Sequence, residues 1–341
     1  MAVGVVASVV LALVLVLAAH PTGAPLRVEP QVTFALPPPG AGCDGATPLP
    51  GGATRVPLTV STVDGQVAES LDVCIEGRGP FPFVLDSGAG QSTVDAGLAR
   101  RLGLPTAGPA SEFAGVGCTG QARPVSVGAW SLDGVDLEPQ QLIAARLPQI
   151  GGKGEPDGLL GSDVLSRFGA VRVDFTNGAL VLPGPEGEPL DGFAPVTGPT
   201  GPPPASLSES AGTVVPLTVT PLPGAVSLEV AVRFGDGAPR RFVVDTGSSQ
   251  SVVSTSAAKA EALPGTDLAQ RQATVCSVIT IPLVHSGPWS VPRAPLFRQL
   301  LGETDFGAVG AGGIEGLLGS DQLARHGWVV LDYRGALMVV G

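Results

Sequence analysis

The sequence predicts an all-β fold made of two homologous small β-barrel units, preceded by an N-terminal hydrophobic helix. Three observations support this prediction: the composition, an internal repeat, and short strand-like runs within each repeat. The 341 residues include 49 Gly and 34 Pro, but only 14% are charged and 4% are aromatic. Such a composition is typical of many turns and short strands rather than of long helices.

Length, charge and cysteine usage limit the functions that the chain can have. Its 44% hydrophobic residues can bury a core, and its length suffices for two domains. A net charge of −11 argues against nucleic acid as a partner. The four cysteines lie far apart without a C-x-x-C pair, and the three histidines show no H-E-x-x-H spacing, so no metal site is predicted.

The first element, residues 1–24, is predicted to be a signal peptide or a membrane anchor. Residues 2–19 carry no charge and are almost entirely apolar, and they are followed at once by His20 and Pro21. A segment of this length can span a membrane as a helix and also suits the hydrophobic part of a secretory signal. Both alternatives place the rest of the chain outside the cytosol, either extracellular or tethered to a membrane through residues 2–19.

Five sequence matches recur in the same order and define two repeats. The first three are 159 residues apart and the last two are 158 residues apart, so one insertion or deletion separates the copies. The matched segments are 56–60 with 215–219, 86–88 with 245–247, 130–131 with 289–290, 159–163 with 317–321, and 173–175 with 331–333. We interpret the repeats as two homologous units, residues 53–183 and 212–341.

Two further segments lie outside the units. Residues 184–211 are rich in Pro, Gly and Ser and lack strand or helix periodicity, which predicts a linker. Residues 25–52 have a similar composition and are predicted to form a stalk. A linker of this length lets the two units pack against each other.

Within each unit, short apolar or alternating runs separated by turn residues predict strands and hairpins. The predicted strands are 56–60, 71–75 and 81–85 in the first unit, and 228–232 and 242–244 in the second. One short helix per unit is predicted, over 96–102 after a cap at Asp95 and over 255–263 after a cap at Ser254. A second helical turn is predicted over 164–168 and over 322–326.

Each unit also places an aspartate at the end of an apolar strand, followed by a hydroxyl residue and a glycine. The two triplets are Asp86-Ser87-Gly88 and Asp245-Thr246-Gly247. A single triplet of this kind would be read as an ordinary turn. Two copies at the repeat offset, each followed later by Leu-Leu-Gly, favour a shared functional site.

This pattern resembles the aspartic protease superfamily, in particular its retropepsin-like group. The resemblance rests on the two triplets and on the later segments Leu159-Leu160-Gly161 and Leu317-Leu318-Gly319. It covers both units and implies a pseudo-two-fold bilobal enzyme that is a monomer, because one chain supplies both halves. The catalytic pair implied by the resemblance is Asp86 and Asp245.

The resemblance implies a reaction that needs no cofactor. Two adjacent carboxyl groups cannot both ionise cheaply, so they share one proton over a wide pH range. The ionised group takes a proton from water as that water attacks a peptide carbonyl, and the protonated group donates to the carbonyl oxygen. The expected activity is that of an exported aspartic endopeptidase acting on a peptide or protein substrate.

Supporting roles are implied in the same way. Ser87 and Thr246 would bond across to the partner loop beneath the dyad, and Gly88 and Gly247 would let the backbone turn close to it. Four residues would pack behind the catalytic loops: Leu160, Gly161, Leu318 and Gly319. We expect Asp163 and Asp321 to be helix caps or buried acceptors rather than additional catalytic acids.

The resemblance also implies a flap hairpin in each unit. The first flap would contain Gly117 and Cys118, and the second would contain Cys276. We hypothesise a disulfide between Cys118 and Cys276 that joins the flaps, which leaves Cys43 to pair with Cys74. Reduced, buried thiols are the alternative.

Two other functions stay open. One is a catalytically silent retropepsin-like protein at the cell surface that binds an extended peptide by strand addition. The other is a structural module of the cell surface. Because both aspartates are present, the sequence favours the enzyme.

Overall fold

The computed structural model describes residues 10–11, 36–37, 42–116, 118–147, 156–184, 212–266, 271–274 and 278–341. These residues form two β-rich units and a third sheet shared by both. The all-β, duplicated fold predicted from the sequence is therefore confirmed.

From β3 and from β16 onward, the elements of the two halves follow a similar order. Strands of the first half are β1 (Val10–Leu11), β2 (Thr47–Pro48), β3 (Thr54–Pro57), β4 (Thr59–Val63), β5 (Gln66–Ile75), β6 (Arg78–Leu85), β7 (Thr93–Asp95), β8 (Ser111–Gly115), β9 (Cys118–Val127), β10 (Trp130–Leu132), β11 (Val135–Leu137), β12 (Gln140–Ala145), β13 (Gly158–Leu160), β14 (Ala170–Asp174) and β15 (Ala179–Leu182). Strands of the second half are β16 (Thr213–Pro216), β17 (Thr218–Leu222), β18 (Ala225–Phe234), β19 (Arg240–Asp245), β20 (Val252–Ser254), β21 (Arg271–Thr274), β22 (Val278–Ile281), β23 (Leu283–His285), β24 (Trp289–Val291), β25 (Ala294–Leu296), β26 (Leu300–Thr304), β27 (Gly316–Gly319), β28 (Trp328–Asp332) and β29 (Leu337–Val340). The α-helices are α1 (Ala96–Leu102), α2 (Ser162–Leu165), α3 (Thr255–Ala260), α4 (Gly307–Ala311) and α5 (Ser320–Leu323).

The helices lie close to their predicted positions. Asp95 caps α1 as predicted, because its carboxylate accepts from the backbone N–H groups of Gly97 and Leu98 at 2.7 and 3.1 Å. Helix α3 begins at its predicted residue but ends at Ala260 rather than at residue 263. It ends there because the chain turns into a left-handed conformation at Ala262, with φ at 51°.

The main sheets of the two units have matching strand orders. The first runs β1-β8-β9-β12-β7-β13-β6-β5-β10-β11, with β4 also on β5, and the second runs β23-β26-β20-β27-β19-β18-β24-β25, with β17 also on β18. At the centre of each sheet, a long-range strand runs parallel to the strand that ends at the aspartate: β13 beside β6, and β27 beside β19. Each aspartate therefore lies at the end of a central strand that is hydrogen-bonded on both sides, and this pairing fixes its position.

A shared sheet joins the units in the order β16-β29-β28-β14-β15-β3-β2. At its centre β14 and β28 are antiparallel, and Arg172 is opposite Val330. These two residues are 158 positions apart, which is the repeat offset of this part of the chain. A strand that pairs at its centre with its own repeat copy lies on a two-fold axis, so the duplication is also a pseudo-two-fold symmetry of the structure.

The hydrophobic core continues through both units. One cluster of buried residues includes Phe83 of β6, Phe242 of β19, and Val173 and Leu331 of the shared sheet. In β6, alternate residues face this core, as the two-residue period of a strand requires. Burial of one Phe, Val or Leu side chain contributes about 2 kcal/mol, so this core stabilises both units.

Residues 42–52, part of the predicted stalk, lie against the first unit. Strand β2 pairs with β3, and Cys43 is disulfide-bonded to Cys74 with their Cα atoms 6.1 Å apart. The predicted pairing of these two cysteines is confirmed. The hypothesised link between Cys118 and Cys276 lies outside the described residues, which include the backbone of Cys118 but not its side chain.

Of residues 1–24 the structure describes only Val10 and Leu11, which pair in parallel with Ala114 and Gly115 of β8. The predicted N-terminal helix and all but one residue of the predicted 184–211 linker lie outside the described residues. Among the helices of the described residues, none combines the length and the hydrophobicity needed to cross a membrane.

Candidate active site

The two aspartates singled out in the sequence meet between the units. Asp86 follows β6 directly and Asp245 ends β19, and both are completely buried. The backbone N–H of Asp86 donates to the carbonyl of Leu160 at 2.9 Å, which anchors the first loop to β13. After each aspartate the chain turns: Ala89 donates to the carbonyl of Asp86, and Ser248 to that of Asp245, both at 3.2 Å.

The two carboxyl groups are close enough for each to influence the pKa of the other. One oxygen of each is held by its own loop: Asp86 Oδ1 accepts from Ala89 N at 2.8 Å, and Asp245 Oδ1 accepts from Ser248 N at 3.0 Å. The Oδ2 atoms of both residues are buried and lack a hydrogen-bond partner within the described part of the chain. These two oxygens are therefore the polar atoms of the site that can engage a water molecule or a substrate.

The electrostatics of the pair favour a bound proton. Burial raises the pKa of Asp86, because removal from water penalises the charged form. Burial and then the charge of the adjacent Asp86 raise the pKa of Asp245 well above its ordinary value. Because burial raises both pKa values, a carboxyl group of this pair can stay protonated at a pH where an isolated aspartate is ionised.

Four hydrogen bonds made by Ser87 and Thr246 hold the two loops together. The hydroxyl of Ser87 donates to the carbonyl of Val244 at 2.7 Å, and the hydroxyl of Thr246 donates to the carbonyl of Leu85 at 2.8 Å. Each hydroxyl oxygen also accepts from the backbone N–H of the other residue, at 2.9 and 3.1 Å. Because every donor and acceptor in this buried set is satisfied, the relative position of the loops is well defined.

At Gly247 the backbone of the second loop lies directly against the carboxyl group of Asp86. A Cβ atom at this position would lie 2.3 Å from Cγ of Asp86, so any larger residue would collide with the carboxyl group. Gly88 occupies the equivalent place in the first triplet. A glycine at 247 is therefore required for the two carboxyl groups to approach each other.

The Leu-Leu-Gly segments lie behind the two loops. Leu160 and Leu318 are fully buried in the core. A Cβ at Gly161 would come within 2.7 Å of the carbonyl oxygen of Ala89, and a Cβ at Gly319 within 2.7 Å of that of Ser248. Both glycines therefore let β13 and β27 touch the backbone of the loops.

Asp163 and Asp321 are buried hydrogen-bond acceptors that bind the serines directly before β7 and β20. Asp163 Oδ1 accepts from the backbone and hydroxyl of Ser92 at 2.8 and 2.6 Å, and Asp321 Oδ1 accepts from both groups of Ser251 at 2.7 Å. Burial raises the pKa of each to about 6. Within the described residues, no group of three or more His, Cys, Asp or Glu side chains could hold a metal ion.

A hairpin of the first unit reaches across to the second. Gly115 of β8 pairs with Cys118 of β9, which puts Val116 at the tip of the hairpin. Val116 is fully buried in an apolar cluster whose other members belong to the second unit: Val243, Val252, Ile281, Phe306, Val309, Ile314 and Leu317. Of the residues predicted for the flaps, Gly117 and Cys276 lie outside the described residues, and Cys118 is described only by its backbone.

Sequence reasoning missed the two serines that follow the Leu-Leu-Gly segments. Ser162 Oγ donates to the carbonyl of Ser87 at 2.7 Å, and Ser320 Oγ lies 3.1 Å from the carbonyl of Thr246. Both serines are fully buried beneath the dyad. The signal for them was present, because Gly-Ser-Asp occurs at this place in both repeats.

Both repeats match a known protein family. No curated protein matches the chain. Among solved structures, an aspartic proteinase from Irpex lacteus shares 13% identity over 84% of this chain and 97% of that chain, with a TM-score of 0.42. Basic 7S globulin from soybean shares 13% identity over 86% of this chain and 95% of that chain, also with a TM-score of 0.42. The sequence profile of the aspartyl protease family matches residues 71–164 and 230–321, more than half of the chain, and both matches contain an aspartate of the dyad.

We predict that Thr246→Val lowers the free energy of unfolding by about 2–5 kcal/mol, because Ser87 N and Leu85 O lose their buried partner. Thr246→Ser is the matched control, since it keeps the hydroxyl and should cost only about 1 kcal/mol for the lost methyl group. Guanidinium denaturation of the three proteins measures this difference. Equal stability of the two variants would contradict the bonding described between the loops.

A second prediction concerns the glycines behind the loops. Gly319→Ala should destabilise the protein by about 1–3 kcal/mol, because its Cβ has no room beside the backbone of Ser248 and Gln250. Gly265→Ala is the control, since a Cβ there would meet nothing within 4 Å. Thermal denaturation compares the two variants, and an unchanged melting temperature for Gly319→Ala would show that β27 does not press on the loop.

Protein stability should fall as pH rises from 4 to 8. The folded-state pKa values of Asp163 and Asp321 are raised from 3.8 to about 6, so the native state binds more protons than the unfolded chain in this interval. Stability is then greatest below the unfolded pKa values and is lost as pH rises through the folded ones, by roughly 3 kcal/mol for one such group. Denaturant titrations at several pH values measure the slope.

The variant Asp163→Asn should flatten this slope, because an amide oxygen can still accept from Ser92 but the side chain no longer titrates. Glu138→Gln serves as its control, since the side chain of Glu138 is 87% exposed. A wild-type stability that rises towards pH 8, or equal slopes for Asp163→Asn and Glu138→Gln, would refute the assignment.

Proposed function

Since this chain belongs to the aspartyl protease family, we propose that it is an exported aspartic endopeptidase that hydrolyses peptide bonds with Asp86 and Asp245. The observation that carries the proposal is the arrangement of these two residues. Their carboxyl groups are buried side by side, come from the equivalent position of two repeats, and are held by reciprocal hydrogen bonds between their loops.

In the proposed reaction the pair holds one proton and binds the attacking water between its outer oxygens. The carboxylate accepts a proton from this water as its oxygen bonds to the carbonyl carbon of the substrate, and the carboxylic acid gives its proton to the carbonyl oxygen. The resulting tetrahedral diol then collapses. The acid of the pair gives its proton to the amide nitrogen and the C–N bond breaks. As the new carbonyl forms, one hydroxyl of the diol gives its proton to a carboxylate of the pair, so the pair again holds one proton.

The geometry of the site suits this sequence of proton transfers. Oδ1 of each aspartate is engaged by its own loop, which leaves each Oδ2 to face the reacting groups. Burial strengthens the interaction of each carboxyl with a developing charge, because no bulk water screens it. The hydrogen bonds of Ser87 and Thr246 between the loops keep both carboxyl groups in position, so the protein reorganises little during the reaction.

Export is part of the proposal and is supported by two features. The apolar stretch over residues 2–19 suits a signal or an anchor. The disulfide between Cys43 and Cys74 is typical of proteins outside the cytosol, where thiols are not kept reduced. We therefore propose that the peptidase units act in an extracellular space, either released or tethered to a membrane.

The activity test is hydrolysis of a mixed peptide library between pH 3 and pH 8. Asp86→Asn and Asp245→Asn should each lower kcat/KM by about a thousandfold or more, since either change removes one half of the acid–base pair. Glu138→Gln, an exposed acid outside the site, should leave kcat/KM unchanged. The pH profile should be bell-shaped, and its alkaline limb should lie above the ordinary carboxyl range because burial raises both pKa values.

Unchanged cleavage by either asparagine variant would exclude the dyad. Saturable binding of peptides without hydrolysis by the wild-type chain would favour the silent peptide-binding protein instead. Absence of both binding and hydrolysis would favour a structural module.

A further inference from the structure

The carbonyl groups of the two residues that follow the aspartates are each supported by a serine hydroxyl. Ser162, the first residue of α2, lies 2.7 Å from the carbonyl of Ser87, and Ser320, the first residue of α5, lies 3.1 Å from the carbonyl of Thr246. A carbonyl can only accept, so each of these contacts is a hydrogen bond only when the serine donates its single proton to the carbonyl. The serine oxygens are then free to accept from a third group.

In the first half this third group is a tyrosine of the other unit. The hydroxyl of Tyr333 lies 2.9 Å from Ser162 Oγ, and both groups are buried. Because the proton of Ser162 is committed to Ser87, Tyr333 must be the donor. The result is a chain of two hydrogen bonds that runs from Tyr333 through Ser162 to the loop of Asp86.

In the second half the third group is a carboxyl. Oε2 of Glu69, on β5 of the first unit, lies 3.0 Å from Ser320 Oγ. If Glu69 is ionised it can only accept, so it takes the proton of Ser320 and the carbonyl of Thr246 loses its donor. If Glu69 is protonated it donates to Ser320, and the chain of hydrogen bonds matches that on the other side.

The repeat shows that these two partners have been exchanged between equivalent positions. The position equivalent to Tyr333 is Phe175, which has no hydroxyl, and the position equivalent to Glu69 is Leu228, which has no carboxyl. Besides its carbonyl, each serine therefore has one further polar partner in the described part of the chain. For Ser162 this is Tyr333, which follows β28, and for Ser320 it is Glu69 of β5. This exchange indicates that each half needs one donor at this place and that either position can supply it.

We infer that Glu69 is a positioning residue of the proposed peptidase, whose protonated carboxyl donates to Ser320 and thereby holds the Thr246 peptide and the loop of Asp245. The inference rests on the proposed function for its effect on catalysis. The bonding itself does not depend on that function.

The surroundings of Glu69 agree with a neutral carboxyl. Glu69 is 1% exposed, its Oε1 has no partner within the described part of the chain, and none of the ion pairs found there includes it. An unpaired buried carboxylate is costly, and burial accordingly raises the pKa of Glu69 to about 8. The hydrogen bond with Ser320 and one with the backbone of Glu69 itself lower this pKa, but their effect is smaller than that of burial.

The test uses the full chain and three variants. Glu69→Leu introduces the residue of the equivalent position 228 and removes the donor, whereas Glu69→Gln keeps a donor that cannot ionise. The double variant Glu69→Leu/Phe175→Tyr moves the donor to the position that supplies it in the other half. By the two-fold relation, a hydroxyl at 175 should reach Ser320 as Tyr333 reaches Ser162.

We expect Glu69→Leu to lower kcat about tenfold with KM little changed, because a displaced loop weakens the dyad rather than substrate binding. Glu69→Gln should keep kcat within about threefold of the wild type, and the double variant should recover most of the loss. A purely structural role would not produce this recovery. Full activity of Glu69→Leu, or failure of Phe175→Tyr to restore it in a folded protein, would overturn the inference.

A readout independent of activity separates this inference from the proposed function. The infrared difference spectrum between wild type and Glu69→Gln at pH 6 should contain the carbonyl stretch of one protonated carboxylic acid. A carboxylate signal at that pH would overturn the inference even if the peptidase is active. The acid signal in a chain that cuts no peptide would support the bonding and refute only the proposed function.

Discussion

The whole site depends on the reciprocal bonding of Ser87 and Thr246. Two buried carboxyl groups repel each other as they ionise, so nothing in Asp86 and Asp245 themselves would keep them together. The hydroxyls fix the separation instead, because each is bonded to the backbone of the opposite loop. These hydrogen bonds, together with the shared sheet in which β14 and β28 pair across the two-fold axis, offset the repulsion between the two acids.

Duplication within one chain has allowed the two halves to diverge while the frame stayed symmetric. The loops differ after the triplets, with Ala89 and Gly90 in one and Ser248 and Ser249 in the other. Beneath them, the further hydrogen-bond partner of each serine comes from a different position in each half. A homodimer of identical units could not distribute these partners unequally, so the asymmetry is a consequence of covalent linkage.

Much of the fold followed from local sequence. The repeat offset predicted two units, and the cap at Asp95 predicted the start of α1. The triplets indicated which acids to compare, since a strand, a hydroxyl residue and a glycine recur together. The end of α3 was misplaced because the left-handed residue that stops it is Ala262, a residue type that carries no turn signal.

Contacts between the units could not be read from the sequence. Val116 packs into the second unit, and Glu69 meets Ser320 across 251 positions, and neither contact leaves a periodicity or a motif. Such contacts depend on the relative orientation of the two sheets, and this orientation exists only in the folded chain. The repeat could have pointed to Glu69 in one way: it is a carboxyl where the other copy has a buried leucine.

In the proposed mechanism Asp86 and Asp245 share one proton. Carbon NMR of the two carboxyl groups, labelled with ¹³C-aspartate and assigned with the asparagine variants, measures this sharing. We expect the two signals to titrate together in two well-separated steps, with one proton retained between them, whereas two independent titrations at the ordinary pKa of an aspartate would exclude a shared proton.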